Sequence, residues 1–211
     1  MSLGATVRRS FGPYEQHVTE AYRRIFIDLD AFVDQMQRWT GGNATRILEI
    51  GCGEGAVAER LLTRFPLAHV TAIDIAPNVG RLFRGDASRV EFRQARVDEV
   101  VARQPGAFDL VILADVIHHV PPSLRAGILA SARAALAPGG RMIFKDWARH
   151  STPIHLACEL SDRYLTGDDV HYLTEDELRA LARETFGRDS ITAEAYIRPW
   201  KSNFAMLLRA G

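Results

Sequence analysis

The sequence predicts an α/β fold built on a mostly parallel sheet that finishes in an antiparallel hairpin. Three observations carry that expectation. Short β-branched runs alternate with amphipathic helical stretches from Arg46 to Lys145. Tight Gly/Pro turns join them, as in successive βαβ units. After a last helix, two strands stand side by side around Pro199-Trp200, a spacing that fits a hairpin at the sheet edge.

Between Val18 and Trp39 the residues Val18, Tyr22, Ile25, Leu29, Phe32 and Met36 recur with helical spacing, so an amphipathic helix is expected. Thr40-Gly41-Gly42-Asn43 stops it. Arg46–Ile50 reads as a buried strand ending at Gly51, and Gly55–Phe65 as a helix with Val57, Leu61 and Leu62 on one side. His69–Asp74 is the second strand, leading through Pro77 into a short helix, and Val90–Gln94 is the third. Phe108–Ala114 is the most apolar strand, which suits the middle of a parallel sheet. Pro121 opens a helix whose expected buried stripe is Leu124, Ile128, Ala132 and Leu136. Pro138-Gly139-Gly140 ends that helix, and Arg141–Lys145 is the fifth strand. From Asp146 to Tyr172 the chain reads as irregular and rich in His, Asp and aromatic residues. Thr174-Glu175-Asp176-Glu177 is a capping box opening a helix that Gly187 closes, and Ile191–Ile197 and Asn203–Leu208 form the hairpin. No repeat or low-complexity linker interrupts the 211 residues, so a single domain is expected.

A chain of this length buries roughly 70% of its unfolded surface and needs no disulfide or metal staple. Twenty-six basic residues balance twenty-six acidic ones, which argues against a nucleic-acid partner, because phosphate affinity rests on excess Lys and Arg. Cys52 and Cys158 make neither a CxxC pair nor a zinc spacing and are expected to be reduced thiols. Arg8 and Arg9 have no apolar stretch behind them, so no signal peptide is expected. No run approaches the ~20 apolar residues of a membrane span. A cytoplasmic location follows as an expectation.

The strongest constellation is Glu49-Ile50-Gly51-Cys52-Gly53-Glu54-Gly55. Glycines allow a sharp strand-to-helix turn and let a ligand approach the backbone without a Cβ in the way. The helix beginning near Gly55 aims its unpaired N–H groups over the loop. Asp74, ending the second strand, can accept both hydroxyls of a ribose. Together these parts describe a nucleoside cofactor across the carboxyl ends of the first two strands. Gly51, Gly53 and Ala56 also satisfy the relaxed dinucleotide pattern G-x-G-x-x-G/A, so the loop alone does not choose the cofactor. Glu49 suits an amino-acid ammonium and is unhelpful beside a pyrophosphate. The chain also closes with a helix and hairpin in place of a second mononucleotide half.

Ile47-Leu48-Glu49-Ile50-Gly51-Cys52-Gly53-Glu54-Gly55, Ala72-Ile73-Asp74-Ile75, Phe108-Asp109-Leu110-Val111, Ile117-His118-His119-Val120-Pro121 and Leu136-Ala137-Pro138-Gly139-Gly140 stand in that order. The series resembles the motifs of the class I S-adenosylmethionine-dependent methyltransferases, in particular their small-molecule branch. The resemblance implies a doubly wound, Rossmann-like, seven-stranded sheet and S-adenosyl-L-methionine as cofactor. It implies that Glu49, Gly51, Cys52, Gly53 and Gly55 surround the methionine portion, that Asp74 binds the ribose and that Ile75 packs on the adenine. Ala114, Asp115 and Val116 would line the sulfonium end. One departure stands out. Arg96 occupies the place where relatives often carry an aspartate for the adenine amino group, and a guanidinium cannot accept. Adenine would then rest on the backbone at Ala95 and Arg96 and on apolar packing.

Methyl transfer from a sulfonium asks for in-line positioning and exclusion of water, with a general base only where the acceptor is protonated. His118 and His119 follow the fourth strand, where the acceptor should approach, and are the candidates for base or acceptor contact. Their alternative is to line the cofactor or open the next helix. Lys145, His155 and Tyr172 are the candidate substrate contacts, with Lys145 equally readable as a structural ion-pair partner. Asp162, Tyr164 and His171 share the segment where the resemblance implies a lid, and Tyr14 and Tyr22 could close the site from the first helix. Seven histidines do not make a metal site here: adjacent His118-His119 cannot easily ligate one ion, and no HExxH or carboxylate cluster accompanies them. The expected layout is a helical cap over 1–43, a cofactor-binding core over 44–147, an acceptor-site lid over 148–173, and a closing helix and hairpin over 174–211.

An Asp/Asn-Pro-Pro-aromatic motif after the fourth strand would mark a DNA amino-methylating enzyme, and a Pro-Cys pair a cytosine C5 enzyme; neither is present. A small-molecule or lipid-like acceptor is therefore expected, with the methylated atom and the oligomeric state open. Two other functions fit parts of the pattern: an NAD(P)-dependent oxidoreductase, and a non-catalytic protein that keeps the cofactor pocket as a scaffold.

Overall fold

The structure is a computed structural model, and it describes residues 15–161 and 170–209. Tyr14, Asp162 and Tyr164 lie outside the described residues, as does the side chain of Tyr22. The chain runs α1 (Glu15–Phe26), α2 (Leu29–Thr40), β1 (Arg46–Ile50), α3 (Ala56–Arg64), β2 (His69–Asp74), β3 (Val90–Gln94) and α4 (Val97–Arg103). It continues with β4 (Phe108–Ala114), α5 (Pro122–Ala135), β5 (Leu136–Trp147), α6 (Pro153–Ser161), α7 (Glu175–Phe186), β6 (Ile191–Tyr196) and β7 (Asn203–Arg209).

Seven strands form one sheet in the order β3-β2-β1-β4-β5-β7-β6. The first five are mutually parallel, and β7 runs antiparallel between β5 and β6. Successive side chains on a strand face opposite ways, so each central strand must be apolar on both faces. Leu48 and Ile50 of β1, with Val111 and Leu113 of β4, pack against Leu129 and Ala132 of α5 and Leu178 and Phe186 of α7. Ile47, Leu110 and Ile112 face the other way, onto Phe32, Val33 and Met36 of α2 and Leu61 of α3. Strand order reverses between β1 and β4, and the crevice at their carboxyl ends is where a ligand belongs in such a sheet. Among the described residues no helix is long and apolar enough to cross a membrane.

The doubly wound sheet and its closing hairpin are as the sequence leads one to expect, and four local readings need correction. The stretch from Val18 to Trp39 is two helices, because Asp28 leaves helical geometry (φ −90°, ψ 97°) and accepts from the Ala31 amide at 2.9 Å, a side-chain N-cap. Its other oxygen takes the Arg198 guanidinium at 2.6 Å. No helix follows Pro77, since Asn78 and Gly80 adopt φ of 65° and 70°, outside the right-handed helical region. On α5 the buried residues are Arg125, Leu129, Ala132 and Ala135, while Leu124 is 58% exposed and Leu136 already belongs to β5. The segment after Asp146 contains α6 where irregular chain was expected.

Thr174 and Glu177 do form the reciprocal capping box of α7, and Gly187 is its C-cap. The break between α1 and α2 gives a direct check. Asp28→Ala is expected to cost about 1 kcal/mol, as for loss of an N-cap, read as a lowered urea midpoint. An unchanged midpoint would mean that Asp28 does not hold the break.

Candidate active site

The cofactor side is assembled by the turn that leaves β1. Gly51 takes φ 78°, and a Cβ there would lie 2.2 Å from Val116 Cγ2, so only glycine lets this turn pass the end of β4. The amides of Gly51 and Cys52 both donate to Ile73 O, at 2.8 and 3.0 Å, tying the turn to β2. Gly53 N–H donates to Asp74 Oδ2 and Ala76 N–H to Asp74 Oδ1, each at 2.8 Å. Two backbone donors thus fix the Asp74 carboxylate at the tip of β2, and each oxygen keeps a lone pair for a further donor. Gly55 is the N-cap of α3, with that helix's first N–H groups behind it.

Glu49 lies beneath the turn, 4% exposed, and its Oε2 has no hydrogen-bond partner among the described residues. Burial, and then the Asp74 charge, push its pKa up to about 8. Burial likewise pushes the Cys52 thiol up, with Glu49 and Asp74 adding to the effect. Cys52 is therefore an unreactive thiol in the loop wall. Ile75, just beyond Asp74, is 75% exposed. Ala95 N–H donates to Asp74 O. The Arg96 guanidinium turns outward onto Asp98 at 2.9 and 3.0 Å, and its amide donates to Glu99 Oε2.

The acceptor side grows from the ends of β4 and β5. After Ala114, Asp115 adopts φ 56°, a left-handed conformation that a non-glycine residue rarely takes. Its carboxylate accepts from Lys145 Nζ at 2.5 Å, and Lys145 is only 1% exposed. The ammonium that the sequence offered as a substrate contact is thus committed to Asp115. A 3-10 turn, Ile117–His119, then presents the two histidines. His118 is buried and His119 is exposed, with ring centroids 4.0 Å apart. His118 N–H donates to Asp146 Oδ2 at 3.1 Å, and His118 Nδ1 makes a short hydrogen bond to Asp146 Oδ1. Trp147 N–H completes the set on Asp146 at 2.8 Å. Burial acts to raise the Asp146 pKa. The His118 charge and hydrogen bond, Lys145 and the Trp147 amide outweigh it and hold the group below the ordinary carboxylate range.

Tyr172 stacks on His118 with centroids 4.9 Å apart and an interplanar angle of 14°. His155 meets the Tyr172 edge at 4.9 Å and accepts from Trp147 Nε1 at 2.9 Å. Burial lowers the His155 pKa, in keeping with a neutral ring that accepts at Nδ1. The Tyr172 hydroxyl lies 3.5 Å from Cys158 Sγ. The structure therefore brings His118, His155 and Tyr172 into one aromatic cluster and leaves Lys145 beside it under Asp115.

One participant is absent from the candidates that the sequence offers. The pairing of Asp146 with His118 needs the β4–β5 contact, which the linear sequence does not state. The expectation of no carboxylate cluster is also corrected: ligand atoms of Asp115, His118 and Asp146 lie within 4.8 Å of one another. Lys145 already neutralises Asp115 and His118 engages Asp146, so the cluster gives no argument for a metal.

Residues 47–140 match the family model described as a methyltransferase domain. A ubiquinone biosynthesis O-methyltransferase of Xanthomonas campestris pv. campestris is 31% identical over 167 residues, covering 74% of this chain and 68% of that protein. One of Xylella fastidiosa is 34% identical over 104 residues, covering 47% of this chain and 41% of that protein. Among solved structures, a 1,6-didemethyltoxoflavin-N1-methyltransferase from Burkholderia thailandensis has a TM-score of 0.67 at 19% identity, covering 98% of this chain and 88% of that one. Human N-acetylserotonin methyltransferase in complex with SAM has a TM-score of 0.65 at 20% identity, over 87% of this chain and 50% of that one. The dinucleotide alternative gives way to these matches. With an ordered series of motifs on a seven-stranded sheet of this order, the chain belongs to the class I S-adenosylmethionine-dependent methyltransferases.

Proposed function

We propose that this methyltransferase methylates a hydroxyl oxygen on a planar, aromatic small molecule, with His118 as general base and Asp146 as the group that orients it. The observation that carries the reading is the buried His118–Asp146 pair beneath Tyr172. A phenolic hydroxyl has a pKa near 10 and is protonated at neutral pH, so a base contributes there, typically about 10²–10⁴-fold. A neutral amine would not need one. The aromatic cluster of Trp147, His155 and Tyr172 would give an aromatic acceptor flat rings to pack on. The O-methyltransferase names of the relatives support oxygen as the methylated atom.

The residues around the glycine turn suit the family's cofactor. The orphaned, buried Oε2 of Glu49 calls for a cationic donor such as an amino-acid ammonium. The anchored Asp74 carboxylate calls for paired hydroxyls, and a Cβ at Gly53 would meet nothing within 4 Å, leaving room for a ligand against the backbone. Glu49, Gly51, Cys52, Gly53 and Gly55 would hold the methionine end and Asp74 the ribose, with Ile75 and the Ala95–Arg96 turn beside the adenine. Ala114, Asp115 and Val116 would face the sulfonium. When bound, the cofactor supplies a methyl group already activated by positive charge on sulfur.

With Nδ1 committed to Asp146, the base function falls to Nε2 of His118. As the acceptor oxygen gains the methyl, its proton passes to Nε2, and the Asp146 carboxylate offsets the charge of the resulting imidazolium. His119, exposed beside it, would contact the acceptor, and segment 148–173 would keep water out. Neither cysteine is in a disulfide, which fits the reducing cytoplasm.

Transfer of labelled methyl to a panel of phenols, amines and carbon acids tests this reading. Phenols are expected to be labelled, and His118→Gln to lower kcat by about 10²–10⁴-fold with S-adenosylhomocysteine affinity retained. Labelling of amines alone would overturn oxygen as the target. No labelling of any acceptor despite tight cofactor binding would favour the scaffold reading.

Glu49 gives a separate test. Its folded pKa of about 8 exceeds the unfolded value of about 4.3, so the folded protein holds the extra proton between these limits. Stability of the ligand-free protein is therefore expected to fall as pH rises through that window and to level off above it. Glu49→Gln should remove this fall, melting higher than wild type at pH 8, while weakening S-adenosylhomocysteine binding about 10- to 150-fold. A Glu49→Gln melting profile that falls with pH like wild type would contradict the assignment.

A further inference from the structure

Arg125 is a buried cation on the first turn of α5. That placement is unfavourable twice over, because burial strips hydration from a charge and the positive end of the helix dipole faces it. Burial also lowers its pKa, against the opposing charges of Asp146 and Glu177. Among the described residues it makes no ion pair, and its hydrogen bonds go to backbone carbonyls. Nε donates to Val120 O at 2.9 Å and Nη2 to His171 O at 2.7 Å.

Those two carbonyls belong to the two segments that build the acceptor side. Val120 follows the 3-10 turn that carries His118, and its amide donates to Ile117 O at 3.1 Å. His171 precedes Tyr172, and its own amide donates to His118 O at 2.8 Å. The residue joining the two chain segments is therefore held at both ends, by His118 on its N–H and by Arg125 on its C=O. The stacked pair of Tyr172 and His118 sits on this joint.

We propose that Arg125 is a positioning residue: its guanidinium fork clamps the His118 turn to the Tyr172 segment and so sets the geometry of the acceptor site. The fork suits the task because its donors are rigidly spaced, whereas a lysine offers one compact charge on a flexible stem. Arg125 acts through the backbone, and among the described residues its hydrogen bonds go to Val120 and His171, neither of which is assigned to the cofactor. The proposal rests on the reading of His118 and Tyr172 as the acceptor side, and part of its test is independent of that reading.

The test compares Arg125→Lys and Arg125→Met with wild type, as full-length protein bound to S-adenosylhomocysteine. Amide hydrogen exchange is expected to quicken about tenfold or more at Val120 and His171, with exchange in the central strands and cofactor affinity unchanged. With a labelled-methyl acceptor, kcat is expected to fall by up to about 100-fold, the scale of a 1 Å misplacement, and Arg125→Lys to recover only part of it. Unchanged exchange at both amides would overturn the clamp. Quickened exchange across the whole sheet, or loss of cofactor binding, would overturn it in favour of a general packing role. Faster local exchange with undiminished kcat would overturn the positioning role. If wild type methylates nothing, the proposed function fails, and the exchange measurement still decides whether Arg125 joins the two segments.

Discussion

The carboxylate of Asp146, near the carboxyl end of β5, takes three hydrogen bonds: two from His118 and one from the Trp147 amide. It is a fully enclosed charge, and such a group is tolerated only when its lone pairs are filled. Filling them dictates the local structure. The chain after β4 must bring both its backbone and its imidazole to Asp146, which makes the 3-10 turn; the turn sets His118 under Tyr172; and Tyr172 draws in His155 and Cys158. Asp115, in a strained left-handed conformation over the Lys145 ammonium, keeps the neighbouring positive charge neutralised. Strain and buried charge of this kind cost stability, and they tend to collect where chemistry is done.

The cofactor side depends on the same place in the fold. Gly51 passes so close to Val116 that no side chain fits between them. The end of β1, which carries Glu49 below the turn, is therefore in contact with the chain that leads to His118. A parallel sheet whose order reverses between β1 and β4 puts these two chain ends into one crevice. The short span from glycine turn to histidine turn is what would allow a methyl donor and an acceptor to meet without water between them.

Much of this was legible in the sequence, for definite reasons. β2, β3 and β4 have the bounds expected of them; β2 and β4 are short, largely buried apolar runs between turns, while β3 is a part-exposed edge strand. The capping box at Thr174 and Glu177 formed as read, since it is specified by residues three apart. The misses involve partners distant in sequence or backbone angles that composition does not reveal. Asp28 breaks a continuous apolar stripe through a cap and a contact with Arg198. Asn78 carries a positive φ that its side chain permits and does not announce. Arg125 lies on the expected helix, but apolar spacing marks its neighbour Leu124 as the buried position on that turn. Asp146 pairs with His118 across 28 residues, and only the register of β4 against β5 brings them together.

The account stands most directly on the turnover of Asp146→Asn, measured beside its S-adenosylhomocysteine affinity. An asparagine keeps the size of the side chain and loses the charge that fixes the His118 tautomer and balances its imidazolium. The expected result is an affinity within about twofold of wild type and a kcat lower by about 10²–10⁴-fold. A folded Asp146→Asn protein that methylates its acceptor as fast as wild type would contradict the account.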